Sequence, residues 1–287
     1  MVLLDAMAEA RPREVAAVAT FDHATGAAAR RAVTLVQRES QRRQLPVVTG
    51  VAEAALPRTE AHWRGARRAF LDGWARELDA TIVTAHTRDD QLETVVQRLL
   101  RDAGARGLAG MRGGVGVRPL LALSRSSLEQ YAALRGLRIV EDPTNASLSY
   151  QRNRVRHEIL PALERAAPGF AQWCWDFGER AAAWRAGVER FVDTLGLRRT
   201  GPVSVTVAVS SLDALGPEEW AVLWPEIAAR AGVVMERQGI ARAAAWAPTA
   251  KAGGAIPLAG GARIERTLST FVVRGTTEVV SDYIFHE

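Results

Sequence analysis

A histidine and three carboxylates lie close together in the first half of the sequence. They are His86, Asp89, Asp90 and Glu93. Asp89 and Glu93 are four residues apart, a spacing that places two side chains on one face of a helix. Acidic residues in a first helical turn are also favoured by the helix dipole without any chemistry. Because four ionisable side chains gather here, the pattern favours a binding or catalytic site over that structural interpretation.

The neighbouring residues predict how this group is positioned. The short apolar run of Thr81, Ile82 and Val83 predicts a buried strand from its length and its β-branched side chains. Thr87 and Asp90 fit a capping box, which predicts that a helix begins here. Open α/β sheets bind ligands where a strand ends and a helix begins. The sequence therefore predicts a ligand site at the carboxyl end of this strand.

Helices and strands alternate through the first part of the chain. The pattern predicts helices over residues 2–10, 26–44 and 59–78, and strands over residues 14–21, 46–51 and 139–140. Asp22 and His23 follow the carboxyl end of the first of these strands. The alternation predicts an α/β fold with a doubly wound parallel sheet, whose first strand is missing.

The remaining residues predict further helices and a smaller second domain. Ser124 or Ser126 is expected to cap a helix that runs to residue 135. Further helices are predicted over residues 168–195, 212–231 and 237–246, and strands over residues 255–258, 262–265, 271–274 and 278–284, after a linker over residues 198–202. We expect a catalytic domain over residues 1–165, and a linker helix with a smaller α+β domain over residues 166–287.

Composition narrows the class of protein. The 287 residues carry a formal net charge of +5, with a pI of about 10.2. Nearly all the positive charge is arginine, which favours phosphate contacts and points weakly to nucleic acid. The single cysteine, Cys174, excludes a disulfide framework and a cysteine-ligated metal site within one chain. Without a basic leader or an apolar run of about 20 residues, we expect a cytoplasmic protein with no membrane partner.

Several motifs resemble those of the tRNA(Ile)-lysidine synthetase family, which is in the N-type ATP pyrophosphatase (PP-loop) group. Residues 85–94 resemble its A-H-x-x-D-D-Q-x-E-T. Residues 101–111 resemble its R-G-x-G-x-x-G-L-x-G-M, with Asp102 and Ala103 as departures. Residues 118–121 match its R-P-L-L.

Three further segments carry the same resemblance. Residues 141–163 are similar to E-D-x-S/T-N followed by Y-x-R-N-x-I/V-R and L-P-x-L. Glu60, Arg64 and Arg67 match the family's E-x-x-x-R-x-x-R. Its V-D-H-G strand end is partly kept in residues 21–24. The resemblance covers residues 1–165 well and continues more weakly to the C-terminal region.

The resemblance implies an adenine nucleotide alpha hydrolase-like fold and a ligase reaction. The enzyme uses ATP, with Mg²⁺, to adenylate the C2 oxygen of the wobble cytidine of tRNA(Ile) with a CAU anticodon. An amine of free lysine then attacks C2 and expels AMP, and the product base, lysidine, pairs with adenosine. That tRNA and free lysine are the implied partners, and a homodimer is left open.

The resemblance also implies roles for individual residues. Asp89, Asp90 and Glu93 would form a catalytic carboxylate patch that holds either a metal ion or the incoming ammonium group, and both possibilities stay open. The nucleotide-binding residues would be Asp22, His23, Arg64 and His86. The tRNA-binding residues would be Arg101, Arg118, Arg125, Arg152, Asn153 and Arg156. For Asn153 a turn or capping role is the alternative, and for single arginines a surface ion pair.

One family motif has no counterpart in the chain. The resemblance implies that an S-G-G-x-D-S loop, which binds the pyrophosphate of ATP, lies immediately before the residues that match Met1 to Leu4. Either the start codon lies further upstream, or this is a truncated copy. We expect about 15–25 residues ending in that loop to be encoded upstream. Without them, we expect the chain to lack most ATP-dependent activity.

Two other functions compete with this interpretation. A different PP-loop tRNA-modifying enzyme is the nearest, but the 2-thiocytidine enzymes need cysteines for a cluster, and Cys174 stands alone. From another class, the chain would be a catalytically dead tRNA-binding module. Pyrophosphate exchange measured beside tRNA binding distinguishes the ligase from the module.

Overall fold

The structure is a computed structural model that describes residues 1–52, 60–113, 116–140 and 147–276. The chain divides after Ala182 into two units, each of which is described by itself. The division falls inside a long helix, Phe170–Thr194.

The first unit combines helices with a parallel pair of strands, which confirms the α/β class. Strands β1 (Val18–Asp22) and β2 (Val47–Val51) pair in parallel, with Val18 opposite Val47 and Asp22 opposite Val51. The helices are α1 (Val2–Ala10), α2 (Ala27–Arg42), α3 (Glu60–Glu77), α4 (Arg88–Leu99), α5 (Ala105–Leu108), α6 (Arg125–Leu134), α7 (Gln151–Arg154), α8 (Leu160–Ala166) and the start of α9 (Phe170–Thr194). Short 3₁₀ turns cover Pro12–Glu14 and Gly110–Gly113.

Helix α4 is the central buried element of this unit. Its residues 91–97 are all buried, and Leu92, Val95 and Val96 pack in one apolar cluster with Cys174 and Trp175 of α9. A helix surrounded in this way cannot shift without disturbing its neighbours. Side chains carried by α4 are therefore held in place by the core.

The predicted starts of two helices are confirmed by their caps. Thr87 Oγ1 accepts from the backbone N–H of Asp90 at 3.3 Å, and Asp90 Oδ2 accepts from the backbone N–H of Thr87 at 2.7 Å. This is the capping box expected ahead of α4. Ser124, and not Ser126, caps α6 by accepting from the backbone N–H of Ser127 at 3.1 Å.

The predicted buried strand over residues 81–83 is wrong. Only Val83 pairs, in an isolated parallel bridge with Val117, and the side chain of Val83 is 36% exposed. Among the described residues the segment gains only this bridge, so no hydrogen-bonded ladder forms and no second element buries it. The strand predicted over residues 139–140 is also wrong, since both residues lack strand structure and Ile139 is exposed.

The segment with Arg152 and Arg156 is helical, but not regular. Between α7 and α8 the chain makes a π turn over Val155–Ile159, in which Leu160 N–H bonds to the carbonyl of Val155. Pro161 has no N–H to donate, so a regular α-helical pattern cannot continue through it. The π turn contains Arg156 and follows α7, which carries Arg152.

In the described residues, the second unit combines a five-stranded antiparallel sheet with the end of α9 and two further α-helices. The strand order is β3 (Arg198–Gly201), β4 (Ser204–Ala208), β7 (Thr270–Arg274), β6 (Arg263–Arg266) and β5 (Ala255–Pro257). Helices α10 (Pro217–Ala229) and α11 (Arg237–Trp246) accompany it, and Trp220, Trp224 and Phe271 pack edge-to-face or stacked in the core.

Most elements of this unit were predicted, with two differences. The linker predicted over residues 198–202 is wrong, because β3 occupies it. Strand β4 was not predicted, although valine alternates with small residues through it. The strand predicted over residues 278–284, like the E-D-P-T-N segment at residues 141–145, lies outside the described residues. Within the described ranges, no helix has both the length and the apolar character needed to cross a bilayer.

Candidate active site

Two carboxylates from α4 meet two arginines from the segment around the π turn. Arg152 bridges the acids, with Nε 2.7 Å from Glu93 Oε2 and an Nη 2.9 Å from Asp90 Oδ1. Arg156 forms two bonds to Glu93, at 2.6 and 3.1 Å. Arginine forms such planar, paired contacts with carboxylates better than lysine does. The four side chains form one network, which we call the acid–arginine cluster.

Hydrogen bonding and nearby positive charge in the acid–arginine cluster keep Asp90 ionised despite its burial. Glu93 is 1% exposed, and the side chains of Arg152 and Arg156 are about one-fifth exposed. Burial alone raises the pKa of Asp90, but the bond from the backbone of Thr87 and the charge of Arg152 outweigh it, so the pKa lies below its usual value. Asp90 is therefore a carboxylate at neutral pH, held by the helix cap on one side and by arginine on the other.

Asp89 lies beside the acid–arginine cluster and lines a cavity with it. Asp89 Oδ2 accepts a hydrogen bond from the backbone N–H of Arg125 at 2.7 Å. The cavity has a volume of about 230 Å³. It is lined by Asp89, Leu92, Glu93, Arg156, Leu160, Pro161, Glu164 and Ala171. Asp89 and Glu93 thus share one face of α4, as expected, and this face lines the cavity. The cavity wall combines carboxylates with aliphatic side chains.

Glu164 is a cavity residue that the sequence motifs did not indicate. Its carboxylate accepts hydrogen bonds from the backbone N–H groups of Gly169 and Ala171, at 2.7 and 2.8 Å. These bonds lower the pKa of Glu164, that of Ala171 having the larger effect. Glu164 therefore contributes a third negative charge to the cavity wall.

The loop over residues 101–111 is held against α4. Arg101 donates to the side-chain oxygen of Gln151, at the start of α7. Gly110 has a φ of 61°, in the left-handed region, where glycine is favoured. Gln91 on α4 is completely buried and bonds to the backbone of this loop. Gln91 lies inside the motif over residues 85–94, yet no local pattern indicated that its amide reaches the loop.

The predicted nucleotide-binding residues lie around the end of β1 and the start of α4. Asp22 Oδ1 accepts from the backbone N–H of Ala24 at 2.8 Å. The ring of His23 contacts Phe21 edge-to-face at 5.2 Å, and Trp63 of α3 lies 6.3 Å from it. Arg64 follows Trp63 and is half-buried. His86 Nδ1 lies 2.9 Å from Thr84 Oγ1, just ahead of α4.

The imidazole of His23 is in an environment that favours its uncharged form, which suits contact with an uncharged part of a ligand. Burial and, next, the charge of Arg67 lower the pKa of His23, and Asp22 opposes them only in part. The imidazole is therefore neutral at pH 7. Its Nδ1 is buried and has no hydrogen-bond partner in the described part of the chain. A neutral ring nitrogen next to aromatic side chains fits a nucleotide base. Through this nitrogen, the predicted nucleotide-binding residues are compatible with ATP.

The remaining predicted tRNA-binding residues are spread over several elements. Arg125 begins α6, and its guanidinium lies 3.6 Å from Asp90 Oδ1. An Nη of Arg118 is 3.5 Å from the carbonyl oxygen of Gly116. Asn153 is buried and donates to the carbonyl oxygen of Ser147 at 2.8 Å, as in the alternative turn-anchoring role. Arg125, Arg152 and Arg156 thus converge on Asp90, and Arg101 borders the neighbouring loop.

The described residues do not form a preassembled metal site. Among them, no group of three His, Cys, Asp or Glu side chains is placed to hold a metal ion. Asp90 and Glu93 instead have arginine partners. The choice between a metal ion and an ammonium group for the carboxylate patch, which the sequence left open, stays a prediction.

Comparison with known proteins agrees with the motifs. Residues 1–163 match the PP-loop domain family. The chain is 37% identical over 204 residues to tRNA(Ile)-lysidine synthase of Geobacter sulfurreducens, covering 67% of this chain and 43% of that protein. It is 46% identical over 115 residues to that of Coxiella burnetii, covering 38% and 25% of the two chains. The chain spans less than half the length of these curated relatives.

Among solved structures, the U34-tRNA thiolase NcsA from Methanococcus maripaludis is 14% identical, with a TM-score of 0.46, and the match covers 57% of this chain and 61% of that one. The family match covers more than half of the chain and includes all the residues of the acid–arginine cluster. On this ground the chain belongs to the PP-loop family.

Proposed function

We propose that the chain provides the catalytic and tRNA-binding parts of an ATP-dependent ligase that converts the wobble cytidine of tRNA(Ile) to lysidine. The observation that carries the proposal is the cavity beside the acid–arginine cluster, where Asp89 and Glu93 face aliphatic groups of Leu160 and Pro161. The curated relatives are named for this reaction, which supports the substrate assignment.

The cavity wall matches the chemistry of a lysine side chain. A long aliphatic stem gains from contact with apolar groups, while its ammonium end needs a carboxylate. Leu92, Leu160 and Pro161 supply the apolar surface, and Asp89 and Glu164 supply negative charge. Asp89 would hold the ammonium group and accept a proton from it, because only a neutral amine is a nucleophile.

The reaction then needs two displacements. The C2 oxygen of the cytidine forms a bond to the α-phosphorus of ATP, and pyrophosphate leaves. The amine nitrogen of lysine next forms a bond to C2, the bond between C2 and the adenylate oxygen breaks, and AMP leaves with that oxygen. The protein's contribution is to place the amine, the ring and the nucleotide within reach of each other.

The arginines have a double role in this proposal. Arg152 and Arg156 hold Asp90 and Glu93 in place through ion pairs, and their partly exposed guanidinium groups would also meet RNA phosphate. Arg101, Arg118 and Arg125 would contact the RNA backbone nearby, and Asn153 would hold the turn that presents this surface. Asp22, His23, Arg64 and His86 would bind ATP. Mg²⁺ would enter with the triphosphate, whose oxygens bind it.

The test combines pyrophosphate exchange with tRNA modification. The chain is assayed as it stands and with a family S-G-G-x-D-S segment placed ahead of Met1, using a CAU-anticodon tRNA(Ile) transcript, ATP and labelled lysine. A transcript with uridine at the wobble position is the control. We expect the protein with the added segment to incorporate lysine into the CAU-anticodon transcript and not into the transcript with wobble uridine. Tight tRNA binding with no exchange in either protein would reject the ligase and favour a tRNA-binding module. Lysine-independent modification would favour another PP-loop enzyme.

The environment of Cys174 argues against a tRNA thiolation reaction that uses a cysteine thiolate. Cys174 is buried among Leu92, Val95 and Trp175. Burial raises the pKa of its thiol to about 11, so almost no thiolate forms at pH 7. The ligase reaction, which needs no thiolate, is the better fit.

A further inference from the structure

The side chain of Gln91 on α4 forms hydrogen bonds to the loop over residues 101–111, which we call the glycine-rich loop. Its Nε2 donates to the carbonyl oxygen of Ala109 at 3.1 Å, and its Oε1 accepts from the backbone N–H of Met111 at 2.7 Å. Gln91 is completely buried, so neither bond competes with water. One amide therefore satisfies a donor and an acceptor on either side of Gly110.

Two glycines make room for this amide. A Cβ at Gly110 would lie 2.5 Å from Gln91 Oε1, and a Cβ at Gly178 of α9 would lie 2.9 Å from Gln91 Nε2. Real Cβ atoms do not approach other atoms so closely. Gly110 is in addition left-handed, at φ 61°. The backbones of the loop and of α9 thus both pack directly against the Gln91 amide, with no room for a side chain at Gly110 or Gly178.

A second side chain of α4 reaches the same loop two turns further on. Arg98 donates to the carbonyl oxygen of Gly107, and the same Nη lies 3.5 Å from that of Gly110. Helix α4 therefore holds the loop at two points along its length. The same helix carries Asp89, Asp90 and Glu93, so the loop and the carboxylates share one rigid support.

The geometry points to Gln91 as a positioning residue that sets the distance between the glycine-rich loop and the acid–arginine cluster. This inference rests on the proposed function, in which Arg101 of the loop contacts RNA and the carboxylates face the incoming amine. An amide suits the position because it offers one donor and one acceptor at once. A carboxylate lacks the donor, and an apolar side chain lacks both groups.

The experiment uses Gln91→Glu and Gln91→Met in the full chain, with Gln97→Glu as the matched control. Gln97 is also a buried glutamine of α4, and within the described residues it forms no hydrogen bond to the loop. Hydrogen exchange of peptides covering residues 104–113 is measured at pH 8 and pH 5, corrected for intrinsic rates, beside the affinity for the CAU-anticodon transcript. Peptides from β1 and β2, which belong to the same unit as the loop, report the stability of that unit.

At pH 8 we expect loop exchange to rise at least about tenfold in both Gln91 variants, without change in β1 and β2, because each lost bond to a buried group is worth a factor of this order. At pH 5 protection should return in Gln91→Glu, since the protonated carboxyl again has a donor and an acceptor. Gln91→Met should not recover. Affinity for the transcript should follow the same pattern.

The outcomes separate this inference from the proposed function. If loop exchange in Gln91→Glu equals that of the unmodified chain at both pH values, Gln91 does not position the loop. If the unmodified chain does not bind the transcript, the proposed function fails, and hydrogen exchange still decides the role of Gln91. If Gln91→Met does not fold, the pH dependence of Gln91→Glu decides alone.

Discussion

The guanidinium Nε of Arg152 donates to Glu93 Oε2 across 2.7 Å, although the two residues are 59 positions apart in the chain. Glu93 is 1% exposed and receives a second arginine, Arg156. A carboxylate so placed is stable only while its cations remain. This ion pair therefore makes the stability of the first unit depend on the same side chains that form the candidate active site.

Replacing the buried acid should destabilise the first unit. We expect Glu93→Gln to cost about 2–3 kcal/mol, less than the about 3–5 of a fully buried pair, because the arginines are partly exposed and Asp90 remains. Urea unfolding of the purified variant measures this. Glu14→Gln is the control, since Glu14 and its partner Arg11 are more than half exposed, and its effect should stay within about 0.5 kcal/mol. Equal losses in both variants would contradict the role of burial.

A second buried carboxylate predicts a specific pH dependence. Asp5 accepts from Arg43 at 2.7 Å, from Tyr131 at 2.9 Å and from Arg135 at 3.0 Å. Burial raises the pKa of Asp5, but these bonds outweigh it and bring the pKa to about 2. Because the pKa is depressed, the stabilisation is present above the unfolded pKa, near 4, and is lost as pH falls towards about 2.

Asp5→Asn should therefore cost about 2 kcal/mol at pH 7 and progressively less between about pH 4 and pH 2. Unfolding midpoints measured across this range test the window. Asp72→Asn is the control, because Asp72 pairs with Arg68 at the surface. A loss for Asp5→Asn that does not change with pH would show that the charge of Asp5 is not what stabilises α1 against α6.

The left-handed glycine in the loop should not tolerate a side chain. Gly110→Ala would place a methyl group against the Gln91 amide and strain φ, so we expect a loss of about 2–4 kcal/mol. Gly104→Ala is the control in the same loop, since Gly104 has φ −69° and nothing within 4 Å of an added Cβ. Thermal unfolding of the two variants tests the contrast, and similar losses would contradict it.

Loss of a phosphate contact should change the salt dependence of tRNA binding. We expect Arg118→Gln to weaken binding of the CAU-anticodon transcript and to lower the slope of log affinity against log salt by about 1. Arg11→Gln, in an exposed ion pair with Glu14, should leave both quantities unchanged. Titrations at several salt concentrations measure the slope, and an unchanged slope for Arg118→Gln would remove Arg118 from the RNA-binding surface.

The acid facing the cavity should matter for the amine and not for RNA binding. In a protein with a family S-G-G-x-D-S segment added ahead of Met1, Asp89→Asn should lower lysine incorporation at least about 100-fold, with transcript affinity within about twofold. Asp176→Asn, at a partly exposed position of α9 that does not line the cavity, should change neither. Near-normal incorporation by Asp89→Asn would show that the carboxylate patch was assigned wrongly.

Local patterns predicted the helices well because their signals are short-range. The capping box at Thr87 acts within a few residues, and the structure confirms it. The strand predicted over residues 81–83 is wrong because a strand needs a partner from elsewhere in the chain. The linker predicted over residues 198–202 is wrong for the opposite reason, since β4 supplies β3 with a partner.

The sequence by itself determined the α/β class, the acidic helix start and the family, because these depend on residue types and short spacings. Only the tertiary structure decided that Arg152 and Arg156 pair with Asp90 and Glu93, and that Gln91 holds the loop around Gly110. The physical reason is that ion pairs and buried amides join residues far apart in the chain. Their partners are set by how α4, the loop and the π turn pack together.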